Sequence, residues 1–248
     1  MNPLEAERTS ATQKISTSAD CAKPFCRQRN FKNAVRLQNS FTAATERKAL
    51  LWLAARLSPS VNSDHLTVLG FVAMFLAGCS YALARWHPWG LLLATVCLAL
   101  NWFGDSLDGT LARVRNRQRP RYGFYVDHMI DSFGALFLMG GLAVSGYIDW
   151  RIAMGLLVAF LLLSIESYLA SYTLGIFRLS FAKLGPTEIR ILLAIANTVL
   201  FFLPSARISG WSSRLLDIGG AIAIVAMTAM ALFAAVSHTL ALYRQETW

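Results

Sequence analysis

Charged side chains are scarce in this sequence, and cysteines are scarcer still. Charged residues occupy 15% of the 248 positions, whereas they make up about a quarter of an ordinary soluble domain. The four cysteines include no C-x-x-C pair, so the sequence indicates neither a zinc site nor a disulfide framework. The first forty residues also lack the apolar core of a signal peptide. These shortages argue against a soluble domain and against a disulfide-stabilised secreted one.

Long apolar runs are what the sequence has instead. Six of them approach the roughly 20 residues that a helix needs to cross about 30 Å of hydrocarbon. They are residues 66–85, 89–112, 124–146, 152–176, 189–204 and 216–240. The run at 189–204 is short, so it needs a tilt or shielding by its neighbours. The sequence therefore predicts an all-α integral membrane protein with about six transmembrane helices.

The positive charge is distributed unevenly along the chain, whose formal net charge is +9. Two connections, those between runs two and three and between runs four and five, carry most of the basic residues near the runs. These residues are Arg113, Arg115, Arg117, Arg119 and Arg121 in the first, and Arg178, Lys183 and Arg190 around the second. The positive-inside rule places both connections and both termini in the cytoplasm, with a cell inner membrane as the expected location. Because basic residues beside membrane spans usually meet anionic lipid, no nucleic-acid partner is expected.

The chain divides into three parts by composition. Residues 1–41 are polar, Ser/Thr-rich and basic, which predicts a disordered tail. Residues 42–58 place leucines at near-helical spacing between basic residues, as in a juxtamembrane amphipathic helix on the cytoplasmic leaflet. A solvated helix packed on the protein is the alternative for that segment. Residues 59–248 form the membrane domain.

Four aspartates stand at the ends of two apolar runs: Asp105, Asp108, Asp127 and Asp131. An aspartate at the centre of a membrane helix costs about 2.5–3.5 kcal/mol on insertion scales, so something must compensate them. Residues three or four apart share a helix face, and the short basic connection returns the chain. The two pairs can therefore face each other at one depth. Carboxylates gathered in this way suit Mg²⁺ or Mn²⁺.

The residues beside the first aspartate pair indicate what a metal ion there would meet. Mg²⁺ keeps coordination positions open for phosphate oxygens, which makes a diphosphate the natural third party. Gly109 and Ala112 leave room for an anionic group to approach the helix, and the Arg113 guanidinium can hold phosphate. The pattern therefore predicts a metal–diphosphate site.

These residues also resemble a family signature. The run Asp105-x2-Asp108-Gly109-x2-Ala112-Arg113, then nine residues, then Gly123-x3-Asp127-x3-Asp131 is similar to the motif of the CDP-alcohol phosphotransferase (phosphatidyltransferase) family. The resemblance covers roughly residues 59–240. It implies a membrane enzyme of phospholipid synthesis that transfers a substituted phosphate from a CDP-alcohol to an acceptor hydroxyl and releases CMP.

The resemblance also implies roles for individual residues. Asp105, Asp108, Asp127 and Asp131 would bind two divalent cations, Mg²⁺ or Mn²⁺, and Asp131 would also be the general base on the acceptor. The nucleotide and its phosphates would contact Gly109, Ala112, Arg113 and Gly123. By the same analogy the enzyme is a homodimer in the lipid bilayer.

Other residues have a functional and a structural interpretation. Asp64 and Thr67 could contact the nucleotide, or Ser63 or Asp64 could simply cap a helix. His128, Glu188, Lys183 and Arg178 could contact the acceptor. Their structural alternatives are a polar pocket for His128, a helix first turn behind a Thr187 cap for Glu188, and topology signals for the two basic residues. Glu166, in the middle of a run, is either functional or part of a hydrogen-bond network.

The sequence leaves the identity of the donor open. The sequences Asp127-His128-x2-Asp131-Ser132 and Gly185-Pro186-Thr187-Glu188 resemble the choline/ethanolamine branch, which uses a CDP-amino alcohol and diacylglycerol. The length of about six spans resembles bacterial enzymes that use CDP-diacylglycerol and a polar alcohol, and we favour that donor.

Other classes of protein explain less of the motif. A membrane prenyltransferase would carry its Asp-rich motifs far apart, and a cation transporter leaves Arg113 unexplained. A non-catalytic protein that binds metal or CDP-lipid is the alternative of another class.

Overall fold

The computed structural model describes residues 35–37, 43–178, 186–203 and 211–246. In this part of the chain, seven helices follow one another, with two three-residue strands beside them. The helices are α1 (Ala43–Arg56), α2 (Ser63–Ala84), α3 (Trp89–Val114), α4 (Pro120–Ser145), α5 (Trp150–Thr173), α6 (Pro186–Phe202) and α7 (Trp211–Gln245). The strands are β1 (Val35–Leu37) and β2 (Ile176–Arg178).

Five helices are long and apolar enough to span a membrane, namely α2 to α5 and residues Leu216–Gln245 of α7. This confirms the all-α integral membrane fold. The fifth predicted run, 189–204, corresponds to α6, which has 17 residues and is about 26 Å long at 1.5 Å per residue. It lies at the lower limit for a spanning helix, in agreement with the short run in the sequence.

The connection between α3 and α4, residues 115–119, is shorter than the interval between the predicted runs 89–112 and 124–146. Asn116 adopts a left-handed conformation with φ of 53°. There the Asn116 N–H donates to the Arg113 carbonyl (3.2 Å) and the Arg117 N–H to the Ala112 carbonyl (2.9 Å). This pair of hydrogen bonds forms a Schellman motif, which satisfies the last carbonyls of a helix. Pro120 then begins α4, since proline suits the first helical position.

Helix α2 is central to the packing because it contacts both α3 and α4. Small residues bring the backbones together. A Cβ on Gly104 would lie 2.6 Å from the Leu66 carbonyl oxygen, and a Cβ on Gly141 would overlap the carbonyl oxygen of Gly78. Close approach through glycines is the usual way in which membrane helices associate. The two Asp-bearing helices α3 and α4 are thus held by a shared neighbour.

Helix α1 packs against α3 at the end of the bundle that carries the α3–α4 connection. Leu50 and Ala54 are buried with Leu66, Leu107 and Leu111 in one apolar cluster. The helix falls within the predicted juxtamembrane segment 42–58. Of the predicted disordered tail 1–41, the structure describes only β1, which pairs in parallel with β2; the rest lies outside the described residues.

Candidate active site

A cleft opens between α3 and α4, with α2 as its third wall. All four motif aspartates line it, together with other residues of α2, α3 and α4. The lining residues are Thr67, Gly70, Phe71, Met74, Asn101, Asp105, Asp108, Asp127, Ile130, Asp131 and Gly134. The structure therefore brings together the two aspartate pairs that the sequence placed on separate helices.

The aspartates of α3 are held by side chains from two other helices. The Thr67 hydroxyl of α2 donates to Asp108 Oδ2 at 2.6 Å. The Ser63 hydroxyl, one turn earlier, donates to the Asp108 carbonyl at 2.9 Å. On the other side, Arg190 of α6 forms an ion pair with Asp105 Oδ2 at 2.6 Å. Both carboxylates thus have a fixed orientation at the wall of the cleft.

The aspartates of α4 are close to those of α3. Asp131 is near enough to Asp105, Asp108 and Asp127 for their charges to repel, and near enough to Arg190 for that cation to offset part of the repulsion. The like charges therefore line one cleft. This is the electrostatic situation that a divalent cation or a cationic ligand relieves.

His128, which follows Asp127, is buried against aromatic rings. Its ring stacks on Phe124 at a centroid distance of 4.1 Å and meets Tyr168 of α5 edge-on at 4.5 Å. Its Nδ1 lies 3.8 Å from Asp127 Oδ2. The Ser132 hydroxyl, next to Asp131, donates to the His128 carbonyl at 2.8 Å. His128 therefore lies in a pocket of aromatic rings beside Asp127, with Tyr168 of α5 as one wall.

The donor groups of the cleft fit a hard divalent cation, although they do not converge on one point as they stand. The carboxylates supply only oxygen ligands, as Mg²⁺ and Mn²⁺ prefer. Among the residues that the structure describes, no three His, Cys, Asp or Glu side chains come close enough to share an ion. Asp105 instead faces Arg190 and Asp108 faces Thr67. Rotation of these carboxylates toward the cleft is what an ion would require.

The small residues of the motif border open space. A Cβ added to Gly109 or to Gly123 would meet no atom within 4 Å. Ala112, one turn after Asp108, is partly exposed, and the adjacent Arg113 is exposed and bonds to Thr110 Oγ1 at 3.1 Å. Room for a bulky anionic group beside α3 is therefore present where the sequence predicted it.

The two weaker nucleotide candidates have different environments. Thr67 is in the cleft, whereas Asp64 pairs with Arg119 of the α3–α4 connection, both side chains being about half exposed. This hydrogen bond raises the pKa of the Arg119 guanidinium above its usual value. The helix cap predicted at Ser63 or Asp64 is wrong by one or two positions, because the N-cap residue of α2 is Asn62. Its N–H is bonded to His65 Nδ1 at 3.3 Å.

Two of the four acceptor candidates, Arg178 and Glu188, lie around the junction of α5 and α6. Glu188 is in the first turn of α6, two residues before the Arg190 that reaches Asp105. The Thr187 hydroxyl, which the sequence suggested as a cap, donates to Glu46 of α1 at 2.9 Å. Arg178 is the last residue of β2 and pairs in register with Leu37. Lys183 lies outside the described residues.

Two polar pairs were missed by the sequence reasoning. The basic connection predicts a topology role for Arg190, yet its side chain is 13% exposed and its guanidinium is directed at Asp105. Glu166 has its Oε1 2.5 Å from Nδ1 of His238 in α7. The only signal available was an ionisable residue within or beside an apolar run, and that signal does not name the partner.

The comparisons with known proteins agree with this geometry. The chain is 32% identical over 116 residues to the archaetidylinositol phosphate synthase of Pyrococcus horikoshii, a match that spans 47% of this chain and 55% of that relative. The family model described as CDP-alcohol phosphatidyltransferase matches residues 61–241, which include α2 to α6, most of α7 and every motif position. The chain belongs to the CDP-alcohol phosphatidyltransferase family.

Proposed function

We propose that the protein transfers a substituted phosphate group from a CDP-alcohol to the hydroxyl of an acceptor alcohol, with release of CMP, in phospholipid synthesis. The observation that carries the proposal is the meeting of four motif aspartates in one cleft between α3 and α4. Family membership supports the same reaction.

The proposed roles follow from where the groups lie. Asp131, accessible in the cleft, accepts the proton of the incoming hydroxyl as general base, since a positioned carboxylate can do so within hydrogen-bond reach. The open space at Gly109 and Gly123 admits the nucleotide and its phosphates. Arg113, at the cytoplasmic end of the same helix, contacts phosphate, and Thr67 orients Asp108.

Asp105, Asp108, Asp127 and Asp131 would hold divalent cations, Mg²⁺ or Mn²⁺. Such ions neutralise charge on the leaving diphosphate and on the transferred phosphorus. The all-oxygen donor set and the mutual repulsion of the four carboxylates support this assignment.

CDP-diacylglycerol is the donor that we favour, with a polar alcohol as acceptor. The family description names a phosphatidyl group, and the Pyrococcus horikoshii relative is named for a lipid that carries inositol phosphate. The choline/ethanolamine alternative, with a CDP-amino alcohol and diacylglycerol, keeps the support of the Asp127-His128 and Gly185–Glu188 sequences alone. His128, Glu188, Lys183 and Arg178 are the proposed acceptor-side residues.

The placement in the membrane is part of the proposal. The basic α3–α4 connection, both termini and the cleft would face the cytoplasm of a cell inner membrane, by the positive-inside rule. Helix α1 would lie on the cytoplasmic leaflet between an N-terminal segment, residues 1–41, of which only β1 is described, and a catalytic membrane domain, residues 59–248. A homodimer is proposed from the family resemblance.

The first test is CMP release by the detergent-purified protein with Mg²⁺. Donors to compare are CDP-diacylglycerol, CDP-choline and CDP-ethanolamine, with pooled polar alcohols or diacylglycerol as acceptors. We expect release from CDP-diacylglycerol with polar alcohols and its loss with EDTA. Release only from a CDP-amino alcohol with diacylglycerol would instead indicate a choline/ethanolamine-type phosphotransferase. No release from any donor would favour a binding protein.

Metal binding has a test that does not depend on turnover. A ligand that binds only the folded state raises stability by RT ln(1 + [L]/Kd), about 2.7 kcal/mol at one hundred times Kd. We expect Mn²⁺ to raise the melting temperature of the parent and of Glu246→Gln, an exposed control just after the end of α7. Asp105→Asn and Asp127→Asn should remove that rise. An equal rise in all four proteins would show that the cleft aspartates are not the ligands.

A further inference from the structure

One carboxylate oxygen joins three helices at the end of the bundle next to the cleft. Glu46, in the first turn of α1, accepts three hydrogen bonds on Oε1: from Trp102 Nε1 at 2.8 Å, Ser106 Oγ at 3.3 Å and Thr187 Oγ1 at 2.9 Å. Two of these donors belong to α3 and one to α6. Hydrogen bonds to an ionised acceptor are stronger than neutral ones, so these three bonds stabilise the contacts of α1 with α3 and α6.

The helices joined by Glu46 are the ones that meet again at the cleft. Ser106 directly follows Asp105 on α3. Thr187 and Arg190 are three residues apart on α6 and therefore share a face. The Arg190 guanidinium is 2.6 Å from Asp105 Oδ2. Two polar links, one through Glu46 and one through Arg190, thus connect the same short segments of α3 and α6.

Docking of α1 does not by itself require this carboxylate. Leu50 and Ala54 already bury α1 against Leu66, Leu107 and Leu111. The bond that this apolar contact cannot replace is the one to Thr187, because it alone reaches α6. Loss of the Glu46 carboxylate would therefore affect α6 as well as α1.

We propose that Glu46 is a positioning residue that holds the first turn of α6 against α3, so that Arg190 keeps its charge at the cleft aspartates. The structural part stands on the contacts alone. Its consequence for the donor rests on the proposed function, because a cation held at the cleft attracts an anionic diphosphate. Loss of the Glu46 link would therefore weaken donor binding more than it slows the chemical step.

Hydrogen exchange of the α6 peptide that begins at Pro186 tests the structural part in the purified full-length protein. Glu46→Ala and Thr187→Val should each raise its exchange rate about tenfold or more, an opening of about 1.4 kcal/mol. Arg47→Ala, an exposed neighbour on α1, should leave the rate unchanged. So should Trp102→Phe, which removes only a bond between α1 and α3. Glu46→Gln should stay near the parent, since its amide oxygen can accept the same bonds.

The double variant E46A/T187V shows whether both residues act through one bond. If they do, its α6 exchange is no faster than that of Glu46→Ala alone, because coupled effects do not add. Additive effects would overturn the proposal. So would unchanged α6 exchange in Thr187→Val, or Trp102→Phe acting as strongly as Thr187→Val. If Glu46→Ala does not fold, Thr187→Val and Glu46→Gln still decide the question.

The catalytic consequence is measured separately, as KM and kcat for the CDP-linked donor. We expect Thr187→Val and Glu46→Ala to raise KM at least fivefold while kcat changes less than twofold. An unchanged KM together with faster α6 exchange would confine Glu46 to a structural role. Absence of turnover in the parent protein would contradict the proposed function instead, and the exchange result would remain valid.

Discussion

At the scale of single residues, Asp131 is the most informative position. It shares the cleft with three other carboxylates and with the Arg190 charge, so its replacement by asparagine removes a proton acceptor while keeping shape. General-base catalysis contributes about 10²- to 10⁴-fold. We expect Asp131→Asn to lower the rate of CMP release by that range and to retain most of the affinity for CDP-linked donor. Steady-state kinetics and donor titration measure the two effects.

The control for Asp131→Asn is Glu246→Gln, which removes a negative charge at an exposed position just after the end of α7. It should turn over like the parent. Parental turnover in Asp131→Asn would show that another group takes the proton, and loss of donor binding in step with turnover would assign Asp131 to binding instead.

At Gly109, the effect of a larger side chain on ligand binding can be measured separately from its effect on stability. A Cβ there would meet no atom of another part of the protein within 4 Å, and leucine is a better helix former than glycine by roughly 0.8 kcal/mol. Gly109→Leu should therefore be as stable as the parent or slightly more so. Because the leucine fills the space assigned to the nucleotide, the KM for the donor should rise at least tenfold, about 1.4 kcal/mol. Thermal unfolding and donor titration test both halves.

Gly219 on α7 is the matched control for Gly109, since a Cβ there also meets no atom within 4 Å. Gly219→Leu should keep both stability and donor KM. If Gly109→Leu likewise leaves KM unchanged, the donor does not approach α3 at this point.

The sequence predicted residues of the site when their signal was local. The eight motif positions fall within 27 residues, and their helical spacing is enough to place the two aspartate pairs on facing surfaces. Arg190 with Asp105 and Glu46 with Thr187 are separated by 85 and 141 residues. Such pairs depend on how α6 and α1 pack, which a single sequence does not encode in any local pattern.

At the scale of helices, Gly140 and Gly141 make opposite predictions from adjacent positions of α4. A Cβ on Gly141 would overlap the Gly78 carbonyl oxygen of α2, whereas one on Gly140 meets nothing within 4 Å. Since backbone atoms cannot move aside, Gly141→Val should lower the stability by at least the 1–3 kcal/mol or so typical of overpacking. It should also separate the Asp127 side of the cleft from Thr67. Gly140→Val should melt within a degree or two of the parent.

Thermal unfolding in detergent checks this pair of glycine variants, with Mn²⁺ binding as a readout of the cleft. Equal melting temperatures for Gly140→Val and Gly141→Val would mean that α2 and α4 are not in backbone contact at this level. Loss of stability in Gly140→Val alone would place the contact on the other face of α4.

The boundaries of the helices show which local signals could be read. The end of α3 depends on the left-handed conformation of Asn116. Asparagine adopts this conformation more readily than most residues, but a single asparagine among arginines is too weak a signal to predict a helix end. Helix α4 begins at Pro120, four residues before the predicted 124, since a helix can extend beyond the apolar region into polar surroundings. Hydropathy reports where lipid contact ends, whereas capping residues determine where the helix ends.

At the scale of the whole molecule, the orientation in the membrane determines which substrates reach the cleft. The α3–α4 connection is near the cleft, because Asp108 lies six residues before Val114 and Asp127 seven after Pro120. The short connection between α2 and α3, around His87, is at the opposite end of these helices. Under the proposed function, the side of the membrane that holds Arg117 is therefore the side from which a CDP-linked donor would enter.

A labelling experiment with a membrane-impermeant maleimide decides this orientation. In a background with Cys21, Cys26, Cys79 and Cys97 replaced by serine, Arg117→Cys should react only in inside-out vesicles and His87→Cys only in right-side-out ones. Both residues are exposed, so both cysteines should react once detergent opens the vesicles. The reverse pattern would place the cleft on the outer side, where five arginines near α3 and α4 would contradict the positive-inside rule and a cytoplasmic pool of CDP-linked donor would have no access.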